Sequence, residues 1–293
     1  QRGVALKIEA DGRMFPVSDD SQTIVDCLTR AAQRAGVIVL NSNRIEKISP
    51  AANQKWQVGP ALFDKVMVAT GSTPAVWEWL GSLGHTIIEP VPSLFTFNTK
   101  DTRLRDLAGV SVPMARLSIR GTKLQAKGPL LVTHWGLSGP AVLRISAWGA
   151  REIYTAAYKF TLEINFLGDE ILADIEKLLL NLKQEHGKKM VTANPMFSLP
   201  ARLWQRLIEA VGISAERRWA DLGKQELKQL STQLGQAEFQ ITGKSTFKEE
   251  FVTAGGVSLK EVNFKTFESR ICPNLFFAGE VLDIDAITGG FNF

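Results

Sequence analysis

Two apolar runs, Phe63-Asp64-Lys65-Val66-Met67-Val68-Ala69-Thr70-Gly71 and Asn274-Leu275-Phe276-Phe277-Ala278-Gly279, read as short strands that each stop on a glycine, and residues 72–273 separate them. In an open α/β sheet a ligand lies beyond the carboxyl ends of the strands, where a glycine lets backbone come close. Thr70-Gly71 and Gly279-Glu280 are therefore expected to approach one cofactor together. The pattern is that of a dinucleotide-binding domain interrupted by long inserts.

The intervening sequence changes period twice. From Thr86 to Leu167 short apolar segments are punctuated by Pro and Gly, with a helical period only over Ala141–Trp148, which predicts an antiparallel β-barrel or sandwich. From Asp169 to Leu234 the spacing of Ile171, Leu172, Ile175, Leu178, Leu179 and Leu182, then of Leu203, Leu207, Ile208 and Val211, then of Leu222, Leu227 and Leu230, predicts three helices. Strands return after Phe239. Ahead of the first glycine-ended run, Val4–Glu9 and the turn pair Asp11-Gly12 predict a hairpin, and Ser18–Gly36 a helix of about 17 residues. Val37–Leu40 reads as a buried strand, and Arg44–Ile48 with Trp56–Val58 as a small meander. The expected division is 1–85 and 263–293 for the cofactor-binding domain, 86–167 and 236–262 for the barrel, and 168–235 for a helical insert.

The densest chemistry follows the second glycine-ended strand. Glu280, Asp283 and Asp285, then Gly289-Gly290-Phe291-Asn292-Phe293, combine acceptors for ribose or ribityl hydroxyls with backbone N–H groups free to meet an anionic ring edge. The acids lack the spacing of a calcium loop and have no histidine nearby, so no metal is expected. Thr253-Ala254-Gly255-Gly256-Val257-Ser258 holds a further glycine pair. Gly128–Pro140 brings His134, Trp135 and Ser138 into one loop-like stretch. Gly136-Leu137-Ser138-Gly139 is not the GxSxG elbow of a serine hydrolase. His134 is a candidate proton donor, because imidazole titrates near neutrality, with a structural loop histidine as the alternative.

Composition narrows the partners. Net charge is +4 and the pI about 9.0, yet Lys and Arg are spread without a long basic run, so a nucleic-acid partner is not expected from charge alone. Cys27 and Cys272 have neither disulfide-framework nor zinc spacing, and no long uninterrupted apolar stretch or leader pattern occurs. The expectation is a cytoplasmic protein with a small-molecule substrate and no membrane association.

Gly12-Arg13-Met14-Phe15-Pro16, Val68–Gly71, Thr133–Pro140, Thr253–Ser258, Phe277–Asp283 and Thr288–Asn292 occur in the order found in a known family. On these segments the chain resembles the BaiN/YhiN-type NAD(P)/FAD-dependent oxidoreductases, the aminoacetone-oxidase-like flavoproteins. The resemblance implies an α/β plus β architecture: an interrupted two-dinucleotide-binding-type FAD domain with an inserted β-barrel domain carrying a helical lobe. It implies FAD as cofactor, with NAD(P)H as electron donor, and reduction of enone-like double bonds or amine oxidation as activities. It places Thr70 and Gly71 near the pyrophosphate or adenosine, Gly279, Glu280 and Asp283 at the pyrophosphate and ribityl chain, and Gly289, Gly290, Phe291 and Asn292 at the isoalloxazine. Ile45 falls where such folds contact adenine through backbone.

Three departures stand out. The family's opening strand and GxGxxG turn do not occur, Phe293 precedes a helix the family has, and Ser72-Thr73-Pro74 replaces a longer glycine-rich loop. The expectation is a fragment that keeps half of a flavin site and binds FAD poorly by itself. Two alternatives stand beside the oxidoreductase: a non-catalytic binding or assembly module and, ranked last, a flavoenzyme acting on RNA, prompted by Arg202, Arg206, Arg217, Arg218, Lys224 and Lys228.

Overall fold

A computed structural model describes residues 3–10, 12–193, 195–245 and 252–286. The chain forms two compact units, one from residues 1–90 and 255–293, the other from 91–254.

In the first unit, strand Val66–Val68 lies parallel to Leu275–Phe277, with Leu275 opposite Val66 and Phe277 opposite Val68. Glu268–Ser269 and Val262–Asn263 extend that sheet antiparallel. Separate pieces are a hairpin of Leu6–Ile8 with Met14–Pro16 and a meander of Ile48–Pro50, Trp56–Val58 and Ala61–Phe63. Helix Gln22–Arg34 is shorter than the sequence spacing predicts. A helix the spacing did not predict runs over Pro74–Ser82: proline at its first position is preset for a helix start, and Val76, Trp77 and Leu80 fall on one buried face. Two strand expectations fail here. Val37–Leu40 forms no strand and is exposed, Ile38 at 82%, because no described strand lies beside it to take its backbone hydrogen bonds. Arg44–Lys47 is likewise irregular, and the meander begins only at Ile48.

The second unit is one antiparallel sheet of seven strands. Their order is Ala237–Ile241, Phe160–Asn165, Ser111–Ile119, Gln125–Val132, Gly136–Ser138, Thr96–Asn98 and Gly243–Ser245. The two outermost strands in this order, Ala237–Ile241 and Gly243–Ser245, are joined by Thr242 alone, whose N–H donates to the Asn98 carbonyl at 2.9 Å. One continuous segment thus pairs with Phe160–Asn165 through its first half and with Thr96–Asn98 through its second, closing the sheet into a barrel. Helix Pro140–Trp148 plugs this barrel with Ala141, Val142 and Ile145, all fully buried.

A helical lobe leaves and re-enters the barrel at one point. Phe160–Asn165 and Ala237–Ile241 are paired neighbours, Ile164 opposite Ala237, and residues 166–236 form the excursion between them. Its helices are Leu172–Glu185, Ala201–Ala210 and Lys224–Gly235. In Ala201–Ala210 the apolar Leu203, Trp204, Leu207 and Ile208 share one face and are fully buried, leaving Arg202, Gln205, Arg206 and Glu209 on the other. Barrel and lobe share a single continuous core.

Candidate functional site

The parallel pair sets the geometry of the first unit. Ala278 N–H donates to the Val68 carbonyl at 3.0 Å, extending the ladder to the last residue before each turn. Thr70-Gly71-Ser72 and Gly279-Glu280 therefore leave neighbouring strand ends side by side. Gly71 and Gly279 have φ of 63° and 76°, and among the described residues neither has an atom within 4 Å of where a Cβ would sit, so these residues leave both turns open.

The two turns are bonded to each other and to what lies behind them. Ser72 Oγ donates to Glu280 Oε2 at 3.2 Å, orienting that carboxylate. Thr73 closes the first turn through its N–H to the Gly71 carbonyl and its hydroxyl to the Thr70 carbonyl. Trp77 Nε1 donates to the Val281 carbonyl at 2.9 Å, so the helix Pro74–Ser82 pins the segment after Gly279. On its other side Val257 N–H donates to the Val281 carbonyl and Asp283 N–H to the Val257 carbonyl. That approach requires a glycine at 256: a Cβ there would lie 2.5 Å from the Val281 oxygen.

Among the described residues, the backbone N–H groups of Gly71, Ser72, Gly279 and Glu280 have no hydrogen-bond partner. Unpaired N–H groups on two neighbouring turns suit a phosphate oxyanion, with an oriented carboxylate alongside to accept a hydroxyl. That donor set fits the pyrophosphate and polyol of a dinucleotide.

Behind the site, His85 is 4% exposed, its Nε2 is 2.8 Å from Ser269 Oγ and its ring meets Phe277 edge-on at 5.2 Å. Burial holds this imidazole below its ordinary pKa, against the pull of the Leu80 carbonyl and of Glu261. Ser269 also accepts from the N–H groups of Ile271 and Cys272, and burial pushes the Cys272 thiol up.

Thr70, Gly71, Gly279, Glu280 and Asp283 thus gather in one unit. Ile45 is half-buried and packs against the core of the same unit from its irregular segment. His134 belongs to the second unit, exposed at the tip between Gln125–Val132 and Gly136–Ser138, beside Trp135 at 59% exposure. Gly289, Gly290, Phe291 and Asn292 lie outside the described residues. Ser72 and Trp77 were missed by sequence reasoning. The signal that finds them is Pro74 followed by buried-type residues at 76, 77 and 80, which marks a helix that begins next to a glycine-ended strand.

Comparison with known proteins gives the class and then the family. Residues 91–252 match the HI0933-like protein barrel and H2TH domain, in agreement with the barrel and helical lobe seen here, so the class is a mixed α/β protein built on that barrel. With more than half its length in that match, the chain belongs to the HI0933-like, BaiN/YhiN-type flavoprotein family. It is 29% identical over 311 residues to the ribosomal RNA dihydrouridine synthase of Haemophilus influenzae, covering 100% of this chain and 74% of that protein. The Escherichia coli protein of the same name is 29% identical over 313 residues, with 100% and 73% coverage. The 3-dehydro-bile acid delta(4,6)-reductase of Clostridium scindens is 26% identical over 300 residues, with 96% and 72% coverage. Among the described residues no helix is long and apolar enough to cross a membrane.

Proposed function

We propose that this protein is a flavin-dependent reductase that takes electrons from a reduced nicotinamide and saturates a carbon–carbon double bond conjugated to a carbonyl. The carrying observation is the pair of parallel strands that deliver Gly71 and Gly279, with unpaired N–H groups, to two neighbouring turns. In this reading residues 1–90 and 255–293 are an FAD domain interrupted by the barrel and lobe.

The names of the relatives support the reaction class. Making dihydrouridine adds hydrogen across the ring double bond of uracil, which is conjugated to a ring carbonyl. A delta(4,6)-reductase acting on a 3-dehydro bile acid saturates double bonds conjugated to a ketone. Both are hydride additions to an activated alkene.

Bound flavin supplies hydride transfer between nicotinamide and substrate. The chain's own residues hold and orient. The N–H groups of Gly71, Ser72, Gly279 and Glu280 bind pyrophosphate oxygens, and Glu280, fixed by Ser72, accepts a ribose or ribityl hydroxyl, with Asp283 serving the same chain. His134, an exposed imidazole of the second unit, is proposed as a proton donor. A second reading, in which the alkene belongs to a base within RNA, is favoured by charge: residues 91–254 carry 22 Lys and Arg against 16 Asp and Glu, the remainder 12 against 14.

The test is a titration of the purified chain with FAD, followed by quenching of flavin fluorescence. Saturable binding weakened about tenfold or more by Glu280→Ala is expected, about 1.4 kcal/mol for a charge-assisted hydrogen bond. No saturation at millimolar FAD sinks the reading.

A further inference from the structure

The excess positive charge of the second unit has a focus. Arg105, Asp106, Leu107, Arg202, Gln205 and Arg206 line a hollow of about 180 Å³ between the turn after Thr102–Leu104 and the first two turns of helix Ala201–Ala210. Among the described residues only one of its three arginines is paired: Arg206 lies 3.6 Å from Asp106 and 3.2 Å from Glu209. Arg105 and Arg202 are exposed and have no acidic partner among the described residues. Arg202 also stands in the first turn of its helix, where the macrodipole disfavours a cation, and no acid shares that turn. A local cost without a local compensation is what an anion site shows when its ligand is absent from the balance.

The hollow is rigid. The opposite face of the helix is fully buried through Leu203, Trp204, Leu207 and Ile208, so the guanidinium forks project from a fixed frame and can grip phosphate oxygens in pairs. Of the lobe's other two arginines, Arg218 is exposed and outside the hollow, and Arg217 is committed elsewhere. Arg217 is held by Glu226 at 3.0 Å and by the Asp221 carbonyl, and Glu226 in turn receives the Gly223 N–H at the start of helix Lys224–Gly235. Arg217 ties the lobe together and is not free to meet a partner, although the sequence alone groups it with Arg202 and Arg206.

We infer that the hollow formed by Arg105, Arg202, Gln205 and Arg206 docks the phosphodiester backbone of an RNA. The choice of RNA over another polyanion rests on the RNA reading of the reductase given above; the anion site itself rests on the arginines. Docking through phosphates positions a nucleic acid without reading its bases, which leaves recognition of the target base to the catalytic site.

The experiment measures binding of a fluorescein-labelled oligouridylate to the full chain by anisotropy across a salt series. Arg105→Gln combined with Arg202→Gln is expected to weaken binding about tenfold, and to lower the slope of log affinity against log salt by roughly 1.4, two single-strand phosphate contacts at about 0.7 each. Lys123→Gln combined with Lys265→Gln removes the same charge outside the hollow and is expected to change both quantities much less. Far-UV circular dichroism of both variants checks folding. Equal effects of the two double variants, or salt-insensitive binding by the parent chain, overturn the proposal. Tighter binding of a phosphoserine peptide than of RNA also overturns it, by assigning the hollow to another anion. FAD titration separates the two readings. A chain that binds RNA through these arginines but never FAD loses the reductase reading alone, and one that binds FAD with RNA affinity indifferent to them loses this one alone.

Discussion

At the scale of single residues, His85 links the stability of the first unit to pH. Its imidazole is buried against Phe277, lies within hydrogen-bond distance of the Leu80 carbonyl and the Ser269 hydroxyl, and is held below its ordinary pKa chiefly by burial. The folded state therefore prefers the neutral ring and the unfolded chain binds the proton more readily. Stability from this group is fully present above the unfolded value of about 6.5 and drains away as pH falls toward the lower folded value. The first unit's thermal midpoint is expected to drop as pH is taken from about 7.5 to about 5, and His85→Gln to flatten that dependence. A slope unchanged in the variant assigns the pH response to other groups. In the sequence His85 stands directly after Gly84 with no chemistry-bearing residue beside it. What the sequence did not reveal is its serine partner, which arrives from 184 residues away.

At the scale of elements, the helical lobe is organised by two tryptophans. Trp204 and Trp219 are fully buried with ring centroids 6.4 Å apart, but only Trp204 bonds its indole N–H, to the Val191 carbonyl at 2.9 Å. Trp219 Nε1 has no partner among the described residues. Replacing each by Phe separates packing from polar satisfaction. Trp204→Phe strands the Val191 carbonyl and is expected to cost about 1–3 kcal/mol more than Trp219→Phe, which removes an unsatisfied donor. Urea unfolding followed by circular dichroism measures both, and equal costs refute the argument. The helices themselves were legible because their apolar spacing is strong and local. The run Val37–Leu40 shows the opposite limit: an apolar tetrad has the composition of a buried strand, but only a neighbouring strand makes it one. Helix Pro74–Ser82 was overlooked because two tryptophans and a glycine within nine residues obscure the period.

At the scale of the whole molecule, the two glycine-ended strands were legible and their parallel pairing follows from both needing the same sheet. The barrel's closure was not, since nothing in Gly243–Ser245 announces pairing with Thr96–Asn98. Nor was the arginine hollow, whose members lie on two elements about a hundred residues apart in sequence. The second unit has its own continuous core, and its two ends meet, Val91 and Ala254 sharing one small buried cluster with Ala150. A segment spanning 91–254, made alone, is expected to melt cooperatively with near-UV ellipticity intact. Loss of that ellipticity with helical signal retained marks a loosely packed state and denies the unit its independence.

The closing segment around Thr242 also sets a timetable for biosynthesis. Thr96–Asn98 leaves the ribosome early, yet its outer partner Gly243–Ser245 follows only after the whole lobe, and the bond between Ser245 and Asn98 spans 147 residues. Helices of the lobe form from local contacts while the nascent sheet still waits with two bare edges. The last strand to be translated is the one that ends the barrel's exposure to wrong partners, so slowing elongation between codons 100 and 245 lengthens the period in which a chaperone is needed.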